Sequence, residues 1–245
     1  MPNHVKTRCK VSGDPKEIAR FRKEVFSKSE SEYDPDDFLD FNKIIPMPEI
    51  LKGSVSGTSA EYGAILILIA AKGGFGTSNY GLDKSRESCM RDEVKMPNAP
   101  MGAVAKAYLE KNPEYETDGR RRLQAILETG YTDWYEWSCD NWNTKWNSYS
   151  PCFVCDESGD LEFTFDTAWS FPEPIFEKLA EMYPNVHFHC ACFDEGWGFA
   201  GEGYYNAPDD HGSAFSFVDA DNDMYRFVYD CEPETDEDDD DEEVA

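Results

Sequence analysis

NHVKTRCKV, residues 3–11, alternates strictly: His4, Lys6, Arg8 and Lys10 share one side, and Val5, Thr7, Cys9 and Val11 the other. A period of two marks a strand with one face in a core and one in solvent. Ser12-Gly13-Asp14-Pro15 interrupts it and caps PKEIARFRKEVFS (15–27), in which Ile18, Phe21, Val25 and Phe26 fall on one helical stripe. FLDFNKII (38–45) reads as a second strand, closed by Pro46 and Pro48. LEFTFDT (161–167) alternates, Pro172 and Pro174 open a helix through EPIFEKLAEMY (173–183), and VHFHCACF (186–193) alternates again. GSAFSFV (212–218) and MYRFVYD (224–230) flank the turn residues DADND (219–223), as a hairpin would.

Strand, helix, strand, strand, helix, strand predicts an α+β fold: a ferredoxin-like antiparallel sheet with helices on one face and an extra C-terminal hairpin. Between the second and third strands the period is helical, clearest in AEYGAILILIAAK (60–72), AVAKAYLEK (103–111) and GRRRLQAILETG (119–130). The chain therefore divides into a first half-domain (1–46), a helical insertion (47–150), a second half-domain with an acidic hairpin (151–231) and a disordered acidic tail (232–245). GGFGTSNYG (73–81) is glycine-rich but follows a helix and lacks Gly-Lys-Ser/Thr, so it reads as a mobile turn rather than a phosphate loop.

Charge narrows the function classes. Residues 1–150 hold 21 Lys+Arg and 23 Asp+Glu, whereas residues 151–231 hold only Lys178 and Arg226 against 17 acids. Residues 232–245 add ten acids and no base. Acidity segregated in this way repels nucleic acid and membranes and attracts proteins with basic surfaces. The apolar run AILILIAA (64–71) is far short of the roughly 20 residues that span a bilayer. With no signal peptide at the start of the sequence, a soluble cytoplasmic protein with reduced thiols is expected.

Four of six tryptophans lie in WYEWSCDNWNTKWNSYSPCFVC (134–155). Trp134 and Trp137 read as core that seats the insertion. Trp142, Lys145 and Trp146, with Asp166 and Trp169, are the residues of a ligand groove if one exists. Cys152-x-x-Cys155 has knuckle spacing, and Cys190 and Cys192 share one face of a strand, so a zinc site from these four thiols is conceivable, with buried free cysteines as the plainer reading. The patterns G-x-S-x-G, H-E-x-x-H and the zinc-deaminase pair are missing, so neither a catalytic residue nor a cofactor is expected. Lys6, Arg8 and Lys10 resemble a nucleic-acid ladder, but the third strand should set Glu162, Thr164 and Asp166 beside them and neutralise it. Arg120, Arg121 and Arg122 offer a place for the acidic tail to dock.

MPNHVKTRCKVSG at the start, FNKIIPMPE (41–49), WYEWSCDNWNTKW (134–146), FTFDTAWSFPEP (163–174) and EGWGFAG (195–201) together resemble the Api-type family of phage, plasmid and pathogenicity-island proteins. The resemblance covers residues 1 to about 205 and implies a ferredoxin-like domain, with no iron–sulfur cluster since the required cysteine run is missing. Asn143 stands where a glycine is usual in that family, and the very acidic end after residue 205 departs from the family's pattern.

The expected function is that of a non-enzymatic, mobile-element-encoded inhibitor acting in the bacterial host cytoplasm. Its partner would be a host nucleic-acid-binding protein such as a CRISPR effector or nuclease, reached by mimicry of nucleic acid or by steric occlusion. The residues expected to meet it are Asp194, Glu195, Glu202, Asp209, Asp210, Asp219, Asp221, Asp223 and Asp230. The alternative is an accessory role in replication or maintenance of the element, through the tryptophan groove.

Overall fold

The computed structural model describes residues 3–28, 37–72, 82, 84–154, 161–207 and 214–233. The glycine-rich segment 73–81, Cys155, Asp209, Asp210 and the tail from 234 onward lie outside the described residues. Two compact units make up the chain: Met1–Pro46 with Cys139–Ala245, and Met47–Ser138. The helical unit thus ends at Ser138, inside a helix, rather than at residue 150.

In the sheet unit, β1 (His4–Gly13) leads into α1 (Pro15–Val25), the two-residue strands β2 (Phe26–Ser27) and β3 (Phe38–Leu39), and α2 (Phe41–Ile44). After the helical unit come β4 (Tyr149–Val154), β5 (Leu161–Ala168), α8 (Glu173–Met182), β6 (Val186–Asp194), β7 (Ala200–Tyr205), β8 (Ala214–Val218) and α9 (Asn222–Tyr229). Six strands form one antiparallel sheet in the order β4-β5-β1-β6-β7-β8, and among the described residues β2 pairs with β3 alone. Its first four strands have the ferredoxin-like order, with β1 beside the third strand as expected: Lys6 is opposite Asp166, Arg8 opposite Thr164 and Lys10 opposite Glu162.

Two expected strands are helices. Only Phe38–Leu39 of FLDFNKII forms a strand, because the Asp40 carboxylate accepts from the Asn42 N–H (3.0 Å) and starts α2. The second strand of the sheet is therefore β4, and the helical unit precedes it instead of following it. MYRFVYD forms α9: the Asp221 carboxylate accepts from the Met224 N–H (2.9 Å), and Asp230 closes the helix in the left-handed region at φ 59°. The C-terminal hairpin is instead β7 with β8.

One sheet face packs on α1 and α8. Val5, Thr7, Cys9 and Val11 are fully buried there, with Phe163, Phe165 and Phe188 from the neighbouring strands. Phe21 of α1 meets Phe188 and Tyr183 edge-on, at 5.3 and 5.5 Å between ring centroids. Each such ring contributes about 1.5–3 kcal/mol by leaving water. Gly13 joins β1 to α1 at φ 130°, where a Cβ would lie 2.4 Å from the Asn185 carbonyl oxygen. Asp14 then caps α1 by accepting from the Lys16 and Glu17 N–H groups.

The helical unit contains α3 (Thr58–Lys72), α4 (Lys84–Glu93), α5 (Met101–Lys111), α6 (Pro113–Thr129) and most of α7 (Trp134–Trp142). Its core joins Leu66, Ile69, Met90, Val104 and Leu109. Gly63 and Gly119 let α3 and α6 touch backbone to backbone. The three arginines of α6 are engaged within this unit: Arg120 pairs with Glu116 (2.6 Å), Arg121 donates to the Ile50 and Lys52 carbonyls, and Arg122 pairs with Asp133 (3.1 Å). The tail expected to dock on them lies, from residue 234 onward, outside the described residues.

Candidate protein-binding surface

The second face of the sheet is built from the basic side of β1. Lys6 lies 3.6 Å from Asp166, and Lys10 lies 3.9 Å from Glu162, which also forms a short ion pair with Arg8. Above this ladder sits α9, whose apolar stripe of Met224, Tyr225, Val228 and Tyr229 packs against Ala191, Phe193, Ala200 and Val218. Tyr225 stacks on Trp197 and on Tyr229, at 5.4 and 4.4 Å. The ladder holds the helix as well: Arg8 donates to the Phe227 carbonyl (2.9 Å) and reaches Asp230 (3.8 Å), while Lys6 and Lys10 lie over the Tyr229 and Phe227 rings. The surface that RNA-binding modules of related topology use for stacking bases is thus neutralised and covered.

Arg8 and Glu162 each have side chains only 12% exposed. Arg8→Met should therefore cost about 3 kcal/mol, because Glu162 loses its closest partner in a poorly solvated place. Arg8→Met with Glu162→Leu should recover most of that loss; chemical denaturation of the two variants checks it.

Burial pushes the Asp166 carboxyl above its ordinary range, opposed by Lys6 and Ser150. Below the ordinary aspartate range both native and unfolded states hold the proton, and above the raised value neither does. Between those limits only the native state holds it, so Asp166 makes stability fall as pH rises through that window. Asp166→Asn should flatten that slope in a stability series across the window, and an unchanged slope would contradict this assignment.

The acids expected to meet a partner separate into distinct groups. Asp194 is 3% exposed, and its carboxylate accepts from the Gly198 N–H (2.9 Å) and the Asn3 amide (3.5 Å). It closes the turn after β6 and is removed from the contact set by burial. Glu195 accepts from the His4 N–H (2.7 Å). Glu202 faces His189 at 3.5 Å within a cavity of about 540 Å³ that Lys10, His187, Tyr204 and Ser216 also line. Asp219, Asp221, Asp223 and Asp230 are exposed around α9. Arg226 pairs with Asp223 and with Glu232, both at 2.8 Å. From 219 to 232 there are five carboxylates and this single guanidinium. What α9 adds to the covered basic face is acid.

The expected tryptophan groove is only partly assembled. Trp142 is 3% exposed, donates its indole N–H to the Ile45 carbonyl (2.9 Å) and meets Phe41 edge-on, so it is core. Asp166 is committed to Lys6. Lys145, Trp146 and Trp169 do converge, with the ammonium 4.7 and 5.1 Å from the two indole rings. Beside Trp169 is an aromatic cleft of about 540 Å³, lined also by Asn143, Phe171, Phe199, Phe215 and Phe217. Phe171 and Phe215 stack at 4.6 Å. Gly201 makes this possible, since a Cβ there would fall 2.2 Å from the Phe215 ring. The sequence reading missed Phe199, Phe215 and Phe217; the signal for the last two was the phenylalanine at alternate positions in AFSFV (214–218).

The zinc set is not brought together. Cys152 is opposite Thr164 and hence on the α9 side, whereas Cys190 is opposite Cys9 on the α1 and α8 side, with β5 and β1 between their strands. Cys190 and Cys192 are fully buried, and burial pushes the Cys192 thiol up to about 12 and the Cys190 thiol well above its ordinary value. Thiols on opposite faces of the sheet make no common tetrahedral site. Among the described residues no cluster suited to a metal ion is found, and no helix is long and apolar enough to cross a membrane.

Residues 141–243 match the family model described as the ferredoxin-like domain in Api92-like protein. The crystal structure of protein api92 from Yersinia pseudotuberculosis is similar over 89% of this chain and 98% of its own length, at 12% identity and a TM-score of 0.41. No curated protein matches the chain.

Proposed function

Taking residues 141–243 as the ferredoxin-like domain of an Api92-like protein, we propose that the chain is a mobile-element-encoded acidic inhibitor of a host nucleic-acid-binding defence protein. It binds the basic groove of a partner such as a CRISPR effector or nuclease and competes with that partner's DNA or RNA. The observation that carries this reading is the sign reversal on the second sheet face: Lys6, Arg8 and Lys10 are consumed by Asp166, Glu162 and α9, and the segment laid over them is acidic. Same-face residues of one strand repeat every 6.6–6.8 Å or so, whereas duplex DNA carries a charge per roughly 1.7 Å of axis. A single strand is therefore too sparse a mimic, and α9, its flanks and the tail act together.

Capture from bacterial lysate by the full chain, and by a truncation ending at Asp230, tests the proposal. The expected catch is a nucleic-acid-binding protein released by a salt gradient and by added duplex DNA. If every captured protein resists both, acid-driven competition is wrong.

A further inference from the structure

Strand β8 ends the sheet, and among the described residues its outer edge pairs with no other strand. Edge strands are ordinarily protected from pairing by charge, proline or a bulge. Ala214–Val218 has none of these, in a chain of net charge −27, and Phe217 on it is 74% exposed. Phe215 and Phe217 lie on the same side of β8 and form one wall of the cleft with Trp169, Phe171 and Phe199. Phe217 meets both Phe199 and Phe215 edge-on, at 5.7 and 5.3 Å. Directly after the strand, Asp219, Asp221 and Asp223 set three exposed acids at one end of this edge.

We propose that β8 receives an extended segment of the partner protein as a seventh strand, with an apolar side chain in the Phe217 cleft and Lys or Arg at the end that reaches Asp219, Asp221 and Asp223. Main-chain hydrogen bonds supply affinity in this mode, and the side-chain pocket and flanking charge supply selectivity. A second copy of the chain is the poorer occupant, since it would bring a further net charge of −27 to an acidic edge. The inference rests on the acidic-inhibitor reading for its choice of a basic partner and gives that reading a docking geometry.

The test uses the full chain and a synthetic strand peptide of about eight residues, alternating Val and Thr, with a central Phe and lysines at one end. Controls carry glutamates in place of the lysines, or N-methyl groups on alternate backbone nitrogens. The lysine peptide should slow amide hydrogen exchange within β8, and N-methylation should abolish that effect. Phe217→Lys, at a position 74% exposed, should weaken binding by about tenfold. Equal binding of the N-methylated peptide, or exchange in β8 unchanged by the lysine peptide, overturns the proposal. The same exchange measurement on a complex with a captured host protein separates the two readings. Unprotected β8 in a salt-sensitive complex rejects strand addition while leaving acidic competition standing, whereas protected β8 in a salt-insensitive complex supports strand addition and rejects that competition.

Discussion

Gly119→Ala is expected to destabilise the helical unit, although alanine is the better helix former. In an open helix interior this change would stabilise by about 0.8–1 kcal/mol. Here a Cβ on Gly119 would lie 2.3 Å from the Gly63 carbonyl carbon and 2.4 Å from the Ala64 nitrogen, and one on Gly63 would lie 1.9 Å from the Tyr115 oxygen. The obstructing atoms are backbone, so no rotamer relieves the clash and α3 must part from α6. Overpacking of this kind costs up to about 3 kcal/mol or more, which outweighs the propensity gain. Amide exchange should show α3 and α6 losing protection while β1, β5 and β6 keep theirs. A stabilised variant would show that the two helices do not meet as closely as described.

Removing the acids before and at the start of α9 is expected to cost about a hundredfold in partner affinity. The informative variant combines Asp219→Lys, Asp221→Asn and Asp223→Asn. Asparagine at 221 keeps an oxygen to accept from the Met224 N–H, so α9 retains its cap while losing a charge. Lysine is placed only at 219, outside the helix, because a cation within the first turn would oppose the helix dipole. A hundredfold corresponds to about 2.7 kcal/mol, within the range measured for close charge pairs across protein interfaces. Affinity for the captured partner, measured at two salt concentrations, should fall most at the lower one. Equal affinity at both would place the contact elsewhere.

The alternation of residues 4–11 made β1, its basic face and its neighbour β5 legible, because a half-buried strand carries its environment in every second residue. FLDFNKII misled because its apolar residues also suit a helix, and the Asp40 cap, a local polar contact, decides between the two. MYRFVYD has the same ambiguity: Tyr225, Phe227 and Tyr229 alternate, yet Tyr225, Val228 and Tyr229 also fit a helical stripe, and the Asp221 cap selects the latter. Trp142 reads as a groove or as core until its Ile45 acceptor is seen. The cleft itself depends on Gly201 making room for Phe215 across β7 and β8, a non-local vacancy that no periodicity encodes. Acidity could be located along the chain, but the burial of Asp194 depends on the Gly198 and Asn3 donors that close around it.

Under the proposed function, this chain competes with nucleic acid for a basic protein while binding none itself. The direct measurement is an equilibrium titration in which the captured partner, bound to a labelled duplex, is challenged with the wild-type chain and with the Asp219→Lys, Asp221→Asn, Asp223→Asn variant. Displacement of the duplex by the wild type, with the curve shifted about a hundredfold for the variant, is the predicted result. A duplex that stays bound at saturating chain, or that moves onto the chain, would contradict it.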